Sequence, residues 1–339
     1  MKGVNSVRID GSGIEVVDGY GNRLYPSFPA LVTKDKEGLY VAGLTVRSLR
    51  ASAPESLKVN GRRFRDTVEI TSSDKGLLVV NELPLEDYIA GIINSEISSQ
   101  WSMDAVKAQA VVARTFAVFQ REARKNMPYH LESTVLDQVY AGFDGEDQRA
   151  VTGVRETAGE VLTYNGALIQ AFFHSNCGGH TEAVENVWSF AHPYLQGVPC
   201  KYCLLSPSGG WEQTLSLKKL ELLLRAGGYK VTGLRGVIPL SRYKTGRIND
   251  LSILFDHGAI NMPAVTLRKV VGYGVIKSTS FDVRSSGESI VFFGTGYGHG
   301  VGLCQWGAKK RAEDGFSYRE ILLYYYPGTK LEKITDTDL

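Results

Sequence analysis

The feature that most constrains the fold is a change of hydrophobic periodicity near residue 83. Residues 5–82 alternate apolar and polar side chains in short runs that Gly, Asn and Asp interrupt, as in "KGLLVVNE". A period of two with turn residues between the runs predicts β-strands. From "LPLEDYIAGIINSEI" onward the apolar residues recur every three or four positions, which predicts helices. The chain therefore begins with strands and continues with a helical pair.

Local signals predict where these helices start. Pro84 suits the start of the first helix, and Ser102 is a favourable N-cap for the second. Strands return from residue 159, and helices come last. There Ser317 and Glu320 form a capping box. This order predicts an α+β fold, with a strand-rich core, an inserted helical pair and C-terminal helices.

The same change of pattern suggests a division into domains. We expect a β-rich N-terminal subdomain over residues 1–75 and a catalytic domain over residues 76–335. No 18-residue apolar run predicts a membrane span, and the first residues "MKGVNSVRID" lack the apolar stretch of a leader. The chain is expected to be cytosolic, or to be written without a leader that has been removed.

Charge excludes one class of partner. The 38 basic and 36 acidic residues nearly cancel, leaving a net charge of +2. A protein that grips nucleic acid by its phosphates normally needs a basic face, so we expect no nucleic-acid partner. A neutral or weakly charged polymer, such as a polysaccharide, remains compatible with this composition.

Glu96 occupies an unusual position for a glutamate. Positions four, seven and eleven residues earlier are Ile92, Ile89 and Leu85, so Glu96 continues the apolar stripe of the helix. Burial penalises a carboxylate's charged form and raises its pKa, which is the state that a general acid needs. The alternative is that the helix frays here and Glu96 turns to solvent.

Two cations on the next helix are candidate substrate-binding residues. Lys107 and Arg114 are seven positions apart and share one face. They could bind hydroxyl, carboxylate or acetamido groups beside a buried acid. An ordinary solvated face would show the same pattern.

The glycine-rich stretch "GTGYGHGVGLCQWGAKK" lacks both the dinucleotide fingerprint and the P-loop frame. It leaves a bare backbone around His299, followed by Gln305 and Trp306. Such a loop lets a large substrate approach closely, with His299 and Gln305 as hydrogen-bonding groups. A tight turn with a structural histidine is the alternative interpretation.

The stretch "HSNCGGH" and the later "PCKYC" have the spacing of a closed zinc site. Its expected ligands are Cys177 and His180 from the first segment and Cys200 and Cys203 from the second. A disulfide from Cys177 to Cys200 or Cys203, or free thiols, are the alternatives, and Cys304 is expected to be a buried thiol.

Within the zinc interpretation His174 could replace one ligand. Because it ends a strand, His174 is expected instead to point with Ser175 into a substrate groove.

Three segments together resemble one family: "NELPLEDYIAGIINSEISSQWSMDAVKAQAVVARTFAV" (81–118), "FFHSNCGGHTEAVENVW…HPYLQGVPCKYC" (172–203) and "GYGHGVGLCQWGAKKRAEDGFSYREILLYYYPGT" (296–329). They are similar to the stage II sporulation protein D/LytB domain family of peptidoglycan lytic transglycosylases. The resemblance covers most of the chain from about residue 38. It strengthens the view that Glu96 is functional.

The resemblance implies a reaction and its residues. Family members cleave the bond between MurNAc and GlcNAc in glycan strands and leave a 1,6-anhydro-MurNAc end, using one glutamate. That acid falls on Glu96, where "NSEIS" has Ile97 in place of the usual Met. The functional Lys and Arg fall on Lys107 and Arg114. Sporulation members act on strands already stripped of peptides by an amidase.

The resemblance also implies binding partners and a cellular location. Peptidoglycan glycan strands are the expected substrate, a cell-wall amidase is a candidate partner, and the location is expected to be extracytoplasmic. The zinc would be structural, because many members lack these ligands. Two alternatives remain: a non-catalytic glycan-binding amidase enhancer, and a zinc hydrolase using the Cys/His cluster.

Overall fold

A computed structural model describes residues 1–203, 206–207 and 209–334. Contacts divide the chain into two compact units. Among the described residues, the first unit is Met1–Val161 together with Lys333 and Ile334, and the second unit is Leu162–Glu332. Helices and mostly antiparallel strands in several separate sheets make up both units, which confirms the predicted α+β class.

The first unit opens with twelve strands: β1 (Lys2–Val4), β2 (Ser6–Asp10), β3 (Glu15–Asp18), β4 (Arg23–Leu24), β5 (Ala30–Lys34), β6 (Leu39–Val41), β7 (Leu44–Val46), β8 (Ser48–Ser52), β9 (Leu57–Val59), β10 (Arg62–Phe64), β11 (Thr67–Ser73) and β12 (Gly76–Glu82). They form two six-stranded sheets, ordered β1-β12-β11-β8-β3-β4 and β10-β9-β2-β5-β6-β7. Side chains along β2 and β9 alternate between buried and exposed, as the period of two predicts.

Three helices complete the first unit: α1 (Leu85–Glu96), α2 (Met103–Ala123) and α3 (Gln148–Glu156). Helix α1 starts directly after Pro84, as predicted, and Ser102 is the N-cap residue of α2, although its side chain makes no capping hydrogen bond to a described residue. Ile89 and Ile92 of α1 join a single apolar cluster with strand residues such as Val7. Because strands and helices share this core, the units do not divide at residue 75, where the predicted boundary lay.

Strand β13 (Glu160–Tyr164) leads from the first unit to the second. The second unit contains strands and helices in the order β14 (Ala167–Leu168), β15 (Phe173–His174), β16 (Gly210–Ser216), α4 (Leu217–Ala226), β17 (Leu234–Pro239), β18 (Asp250–Phe255), β19 (Gly258–Pro263), α5 (Ala264–Val271), β20 (Phe281–Ser286), β21 (Ser289–Thr295), β22 (Leu303–Cys304), α6 (Gln305–Glu313) and α7 (Tyr318–Tyr325), and β23 (Lys330–Lys333) follows them.

Two three-stranded antiparallel sheets, β16-β21-β20 and β17-β18-β19, enclose an apolar cluster of the second unit with α4 and α5. A separate parallel pair joins β15 to β22, with His174 opposite Cys304. This pair brings the end of the "FFHSNC" segment beside the glycine-rich loop. No helix in the described part of the chain is long and apolar enough to cross a membrane.

Candidate functional site

Glu96 is the last residue of α1 and is half-buried. Its Oε1 atom accepts a hydrogen bond from the backbone N–H of Val139 at 2.8 Å. The neighbouring Gln138 is itself fixed, because it accepts from the Tyr88 hydroxyl at 3.0 Å and donates to the Ala113 carbonyl at 3.2 Å. Burial raises the pKa of Tyr88 well above its usual value, and the charge of Glu96 adds to this rise.

This arrangement holds the Glu96 carboxylate in one orientation. The apolar stripe predicted from Ile89 and Ile92 is present, since both side chains are fully buried. Glu96 thus continues that stripe as a partly buried acid. The catalytic role and the acidity predicted for it stay predictions.

Arg114 is buried completely inside the first unit. Its guanidinium pairs with both carboxylate oxygens of Glu86, at 2.8 Å from Nε and 2.6 Å from the second nitrogen. It also donates to the carbonyls of Val154 and Glu160. A bidentate pair of this kind fixes both partners.

The structure therefore gives Arg114 a different role from the predicted one. Its nitrogens bind groups of the protein, so it clamps the start of α1 to α2 and does not face a ligand. Lys107 shares its face, as predicted, but its Nζ pairs with Glu156 of α3 at 2.6 Å. Sequence spacing placed the two cations together without showing that α3 covers them.

We expect Glu86→Gln to lower the free energy of unfolding by about 2–3 kcal/mol. The substitution leaves the Arg114 charge buried without its anion, and breaking buried pairs costs about 3–5 kcal/mol. The expected loss lies at or below the lower end of this range because Glu86 is partly exposed. Urea denaturation measures the loss. Lys107→Gln is the control, because its half-exposed ion pair contributes roughly 1 kcal/mol or less. Equal losses in both variants would contradict the buried clamp.

Two histidines lie together in the second unit. The ring centroids of His174 and His299 are 5.4 Å apart, and those of His299 and Trp188 are 5.1 Å apart. Burial lowers the pKa of His174 to about 3 and holds that of His299 well below its usual value. Both imidazoles are therefore neutral near pH 7.

Their hydrogen bonds assign opposite tautomers. His174 Nδ1 lies 3.1 Å from the Val301 carbonyl, which only accepts, so this nitrogen carries the proton. His299 Nδ1 accepts from the Val301 N–H at 3.0 Å, so its proton is on Nε2. The buried Nε2 of His174 has no hydrogen-bond partner among the described residues. It is a buried acceptor that the described residues of the second unit leave unsatisfied.

The buried, neutral His174 predicts a pH dependence of stability. The unfolded chain binds a proton near pH 6.5, whereas the folded protein resists it down to about pH 3. Stability is therefore full above pH 6.5 and is lost as the pH falls from there to about 3, by up to about 1.4 kcal/mol per pH unit.

The test compares urea unfolding at pH 6.5 and pH 4.5 in His174→Gln and in the control His257→Gln, whose histidine is exposed. His174→Gln should lower the slope of stability against pH by up to about 1.4 kcal/mol per pH unit, while the buried His299 keeps its own share. The control should keep the full slope. An unchanged slope in His174→Gln would contradict the prediction.

The two remaining predicted substrate-binding residues lie near this pair in sequence and fold. Gln305 is buried at the first position of α6. The Ser175 carbonyl accepts a hydrogen bond from the Trp306 backbone N–H at 3.1 Å. Trp306 lies under the Lys309 ammonium, 4.9 Å from its ring centroid. The parallel pair β15–β22 thus brings Ser175 and the start of α6 together.

Four cysteines form a compact cluster in the second unit: Cys177, Cys200, Cys203 and Cys304. All are buried, and their sulfur atoms lie within 4.8 Å of one another. The Sγ atoms of Cys177 and Cys203 are 3.3 Å apart, and none of the four forms a disulfide. A tetrahedral zinc with Zn–S bonds near 2.3 Å separates its sulfurs by roughly 3.8 Å, so the spacing fits such an ion.

Backbone groups around the cluster favour anionic sulfur. Cys304 is the N-cap of α6, and its Sγ accepts from the N–H groups of Cys177 at 3.3 Å and Gly307 at 3.4 Å. Burial nevertheless raises the pKa of the Cys304 thiol. Thiolates in so closed a site need a cation to compensate them.

The structure corrects the predicted fourth ligand. Cys304, and not His180, completes the group of four. His180 Nδ1 lies 2.6 Å from the Thr181 carbonyl and belongs to no group of potential ligands among the described residues. Cys304 was missed because it is far along the chain from the paired cysteines. The signal that could have found it is that Cys304 is the only cysteine in the glycine-rich stretch.

A buried arginine stands beside the cluster. Arg247 donates to the Cys177 carbonyl at 2.7 Å and to Thr279 at 3.3 Å. Its Nε atom has no partner in the part of the chain that the structure describes. Desolvation lowers the pKa of Arg247, and the Cys177 thiol group is the first of the neighbours that oppose this shift. A negative charge on the Cys177 sulfur would therefore stabilise the Arg247 guanidinium.

Comparison with known proteins assigns the family. The family model described as stage II sporulation protein matches residues 73–164, which include Glu96. A second model, of a domain of unknown function, matches residues 210–302. The chain belongs to the stage II sporulation protein D/LytB family.

Relatives extend this match over both units. The chain is 32% identical to an uncharacterized protein of Brachyspira hyodysenteriae, over 89% of this chain and 81% of that protein. It is 29% identical to stage II sporulation protein D of Bacillus subtilis, over 75% and 76%. It is 32% identical to the amidase enhancer of Bacillus subtilis, over 72% of this chain but 40% of that protein.

Proposed function

We propose that the protein is a lytic transglycosylase that cleaves MurNAc–GlcNAc bonds in peptidoglycan glycan strands, with strands free of peptide as the preferred substrate. The observation that carries this proposal is Glu96. It ends α1 within the matched segment, is half-buried, and is held by the Val139 N–H at 2.8 Å. A fixed, partly desolvated carboxyl group is suited to general acid–base catalysis.

One carboxyl group is sufficient for this reaction. Glu96 gives its proton to the glycosidic oxygen as the bond from C1 of MurNAc breaks. It then takes the proton of the 6-hydroxyl of the same sugar, whose oxygen bonds to C1. No water is consumed, and the product carries a 1,6-anhydro ring. A hydrolase would instead need a second carboxyl group. Glu86 on the same helix is bound by Arg114, which supports a single-acid mechanism.

Lys107 and Arg114 are proposed to act by holding other groups of the protein in place. Arg114 holds Glu86 near the start of the helix that ends with Glu96, so we assign it a positioning role. Lys107 ties α2 to α3 through Glu156. In the second unit His174, Ser175, His299 and Gln305 remain proposed glycan contacts. The Nε2 lone pair of His174 is suited to a sugar hydroxyl or acetamido N–H.

The four cysteines are proposed to bind a structural Zn²⁺. An all-thiolate set at these distances fits zinc, and iron is the other metal that such a set accepts. The ion would supply a cross-link between the 177–203 segment and the start of α6. Four protein ligands leave no open position for water, which disfavours a catalytic zinc hydrolase.

A cell-wall substrate implies an extracytoplasmic location, which we propose for this chain. A second candidate function is that of an amidase enhancer, which binds glycan and assists a cell-wall amidase. It is favoured by the name of the Bacillus subtilis relative, of which this chain spans 40%.

Mass spectrometry of products from purified peptide-free glycan strands tests the proposal. Strands with 1,6-anhydro-MurNAc ends are expected. Reducing ends would show hydrolysis and a second carboxyl group. Bound but uncleaved strands would reject the lyase and favour the amidase enhancer.

A further inference from the structure

The second unit carries a continuous row of aromatic rings, named here the aromatic track. Successive ring centroids are 4.5–6.1 Å apart along the order Tyr164, Tyr194, His192, Phe190, Trp188 and Phe172. The rings of Trp188 and Phe190 are nearly parallel, at 4°, and those of His192 and Tyr194 at 11°. We propose that the aromatic track is a glycan-binding site that stacks on the apolar faces of pyranose rings.

Most rings of the track are partly exposed, whereas Tyr194 is buried. Four of its rings occupy alternate positions from 188 to 194, in a segment without regular strand or helix. Phe190 is 37% exposed, and Trp188, His192 and Phe172 are half-buried. A row of partly exposed rings leaves apolar surface in water, and contiguous surfaces of this kind mark binding sites.

The charge of the segment selects the ligand. Residues 186–200 contain no Asp, Glu, Lys or Arg. The stretch itself therefore offers no Asp, Glu, Lys or Arg side chain for an ion pair with an acidic or basic peptide. A sugar presents C–H groups on its flat face, which meet the electron-rich face of an aromatic ring, while its hydroxyl groups stay at the edge.

A polar group in the row can bind that edge. The imidazole nitrogens of His192 have no hydrogen-bond partner among the described residues. Hydrogen bonds from a central ring would orient a sugar that stacking alone leaves free to slide. The aromatic track thus combines flat faces with one directional group, as saccharide sites require.

This inference rests on the proposed function for its substrate class, but its test is separate. The full chain carrying Glu96→Gln, which prevents turnover, is titrated with uncharged β-1,4-linked N-acetylglucosamine hexamer by calorimetry. Phe190→Ala in this background should weaken binding about tenfold, a typical loss for one stacking ring. Phe293→Ala is the matched control, because Phe293 has the same 37% exposure in the same unit.

A second variant keeps the proposal testable if Phe190→Ala does not fold. Trp188→Phe keeps a ring but removes the indole, so hexamer binding should persist while the ligand-induced change in tryptophan emission largely disappears.

The proposal that the aromatic track binds glycan would be overturned by any of three results. These are unchanged affinity in Phe190→Ala, an equal loss of affinity in Phe293→Ala, and absence of any hexamer binding. Binding of phosphatidylcholine vesicles in place of the hexamer would also overturn it. None of these results changes whether the protein leaves anhydro ends on glycan strands. That separate measurement tests the proposed function.

Discussion

Glu96→Gln is expected to reduce cleavage of peptide-free glycan strands by about 10³-fold or more. General acid–base catalysis contributes about 10²–10⁴-fold, and here one group serves both proton transfers. Glutamine is nearly the same shape, and its carbonyl oxygen can still accept from the Val139 N–H. The fold should therefore be kept while the transferable proton is lost. Chromatography of the products, with mass detection of anhydro ends, measures the rate.

Glu82→Gln is the matched control for this variant. Glu82 ends β12 just before the same helix, and it is exposed and paired with Arg50 at the surface. Surface pairs contribute little, so its activity should stay within twofold or so of the unmodified protein. If Glu96→Gln retained full activity with an unchanged unfolding midpoint, Glu96 could not be the acid. If both variants lost activity equally, the loss would be structural.

Cys304→Ser is expected to weaken zinc binding by more than about 100-fold and to lower the unfolding temperature. Even outer-shell changes reduce metal affinity by about 10–100-fold, and this substitution removes a direct ligand. Because metal affinity is folding free energy in such sites, the apoprotein should also be less stable. Metal content by mass spectrometry and affinity by chelator competition give the result.

His180→Asn separates the observed cluster from the ligand set that spacing predicted. It should keep one zinc per chain, because its imidazole lies against the Thr181 carbonyl outside the cluster. Addition of a zinc chelator should lower the unfolding temperature of the unmodified protein and of His180→Asn, but hardly that of Cys304→Ser. Zinc lost from His180→Asn and kept by Cys304→Ser would contradict the tetrathiolate site. One iron per chain would correct the metal and leave the ligands intact.

Local features of the structure could be predicted from the sequence where neighbouring residues fix them. The capping box of Ser317 and Glu320 is present, and α2 begins directly after Ser102 as predicted. Short helices without a long apolar period were missed. Helix α5, of eight residues, lies in a region predicted to consist of strands. Eight residues give too few turns for the period to stand out.

In the candidate site, too, features set by neighbouring residues could be predicted, whereas contacts between distant residues could not. The position of Glu96 on an apolar stripe follows from the sequence of one helix, because a period of 3.6 fixes which side chains share a face. The role of Arg114 does not, because Glu86 lies on another helix. Its complete burial depends on how α1 and α3 pack against α2.

By itself the sequence determined the α+β class, the starts of α1 and α2, the place of Glu96 on the apolar stripe of α1 and three of the four clustered cysteines. These depend on residues near one another in the chain. Only the tertiary structure decided that Cys304 replaces His180, because the parallel pairing of His174 with Cys304 sets the start of α6 beside Cys177. It also decided where the units divide, since one apolar core joins the N-terminal sheets to the helices. Such contacts connect distant residues, and no local pattern records them.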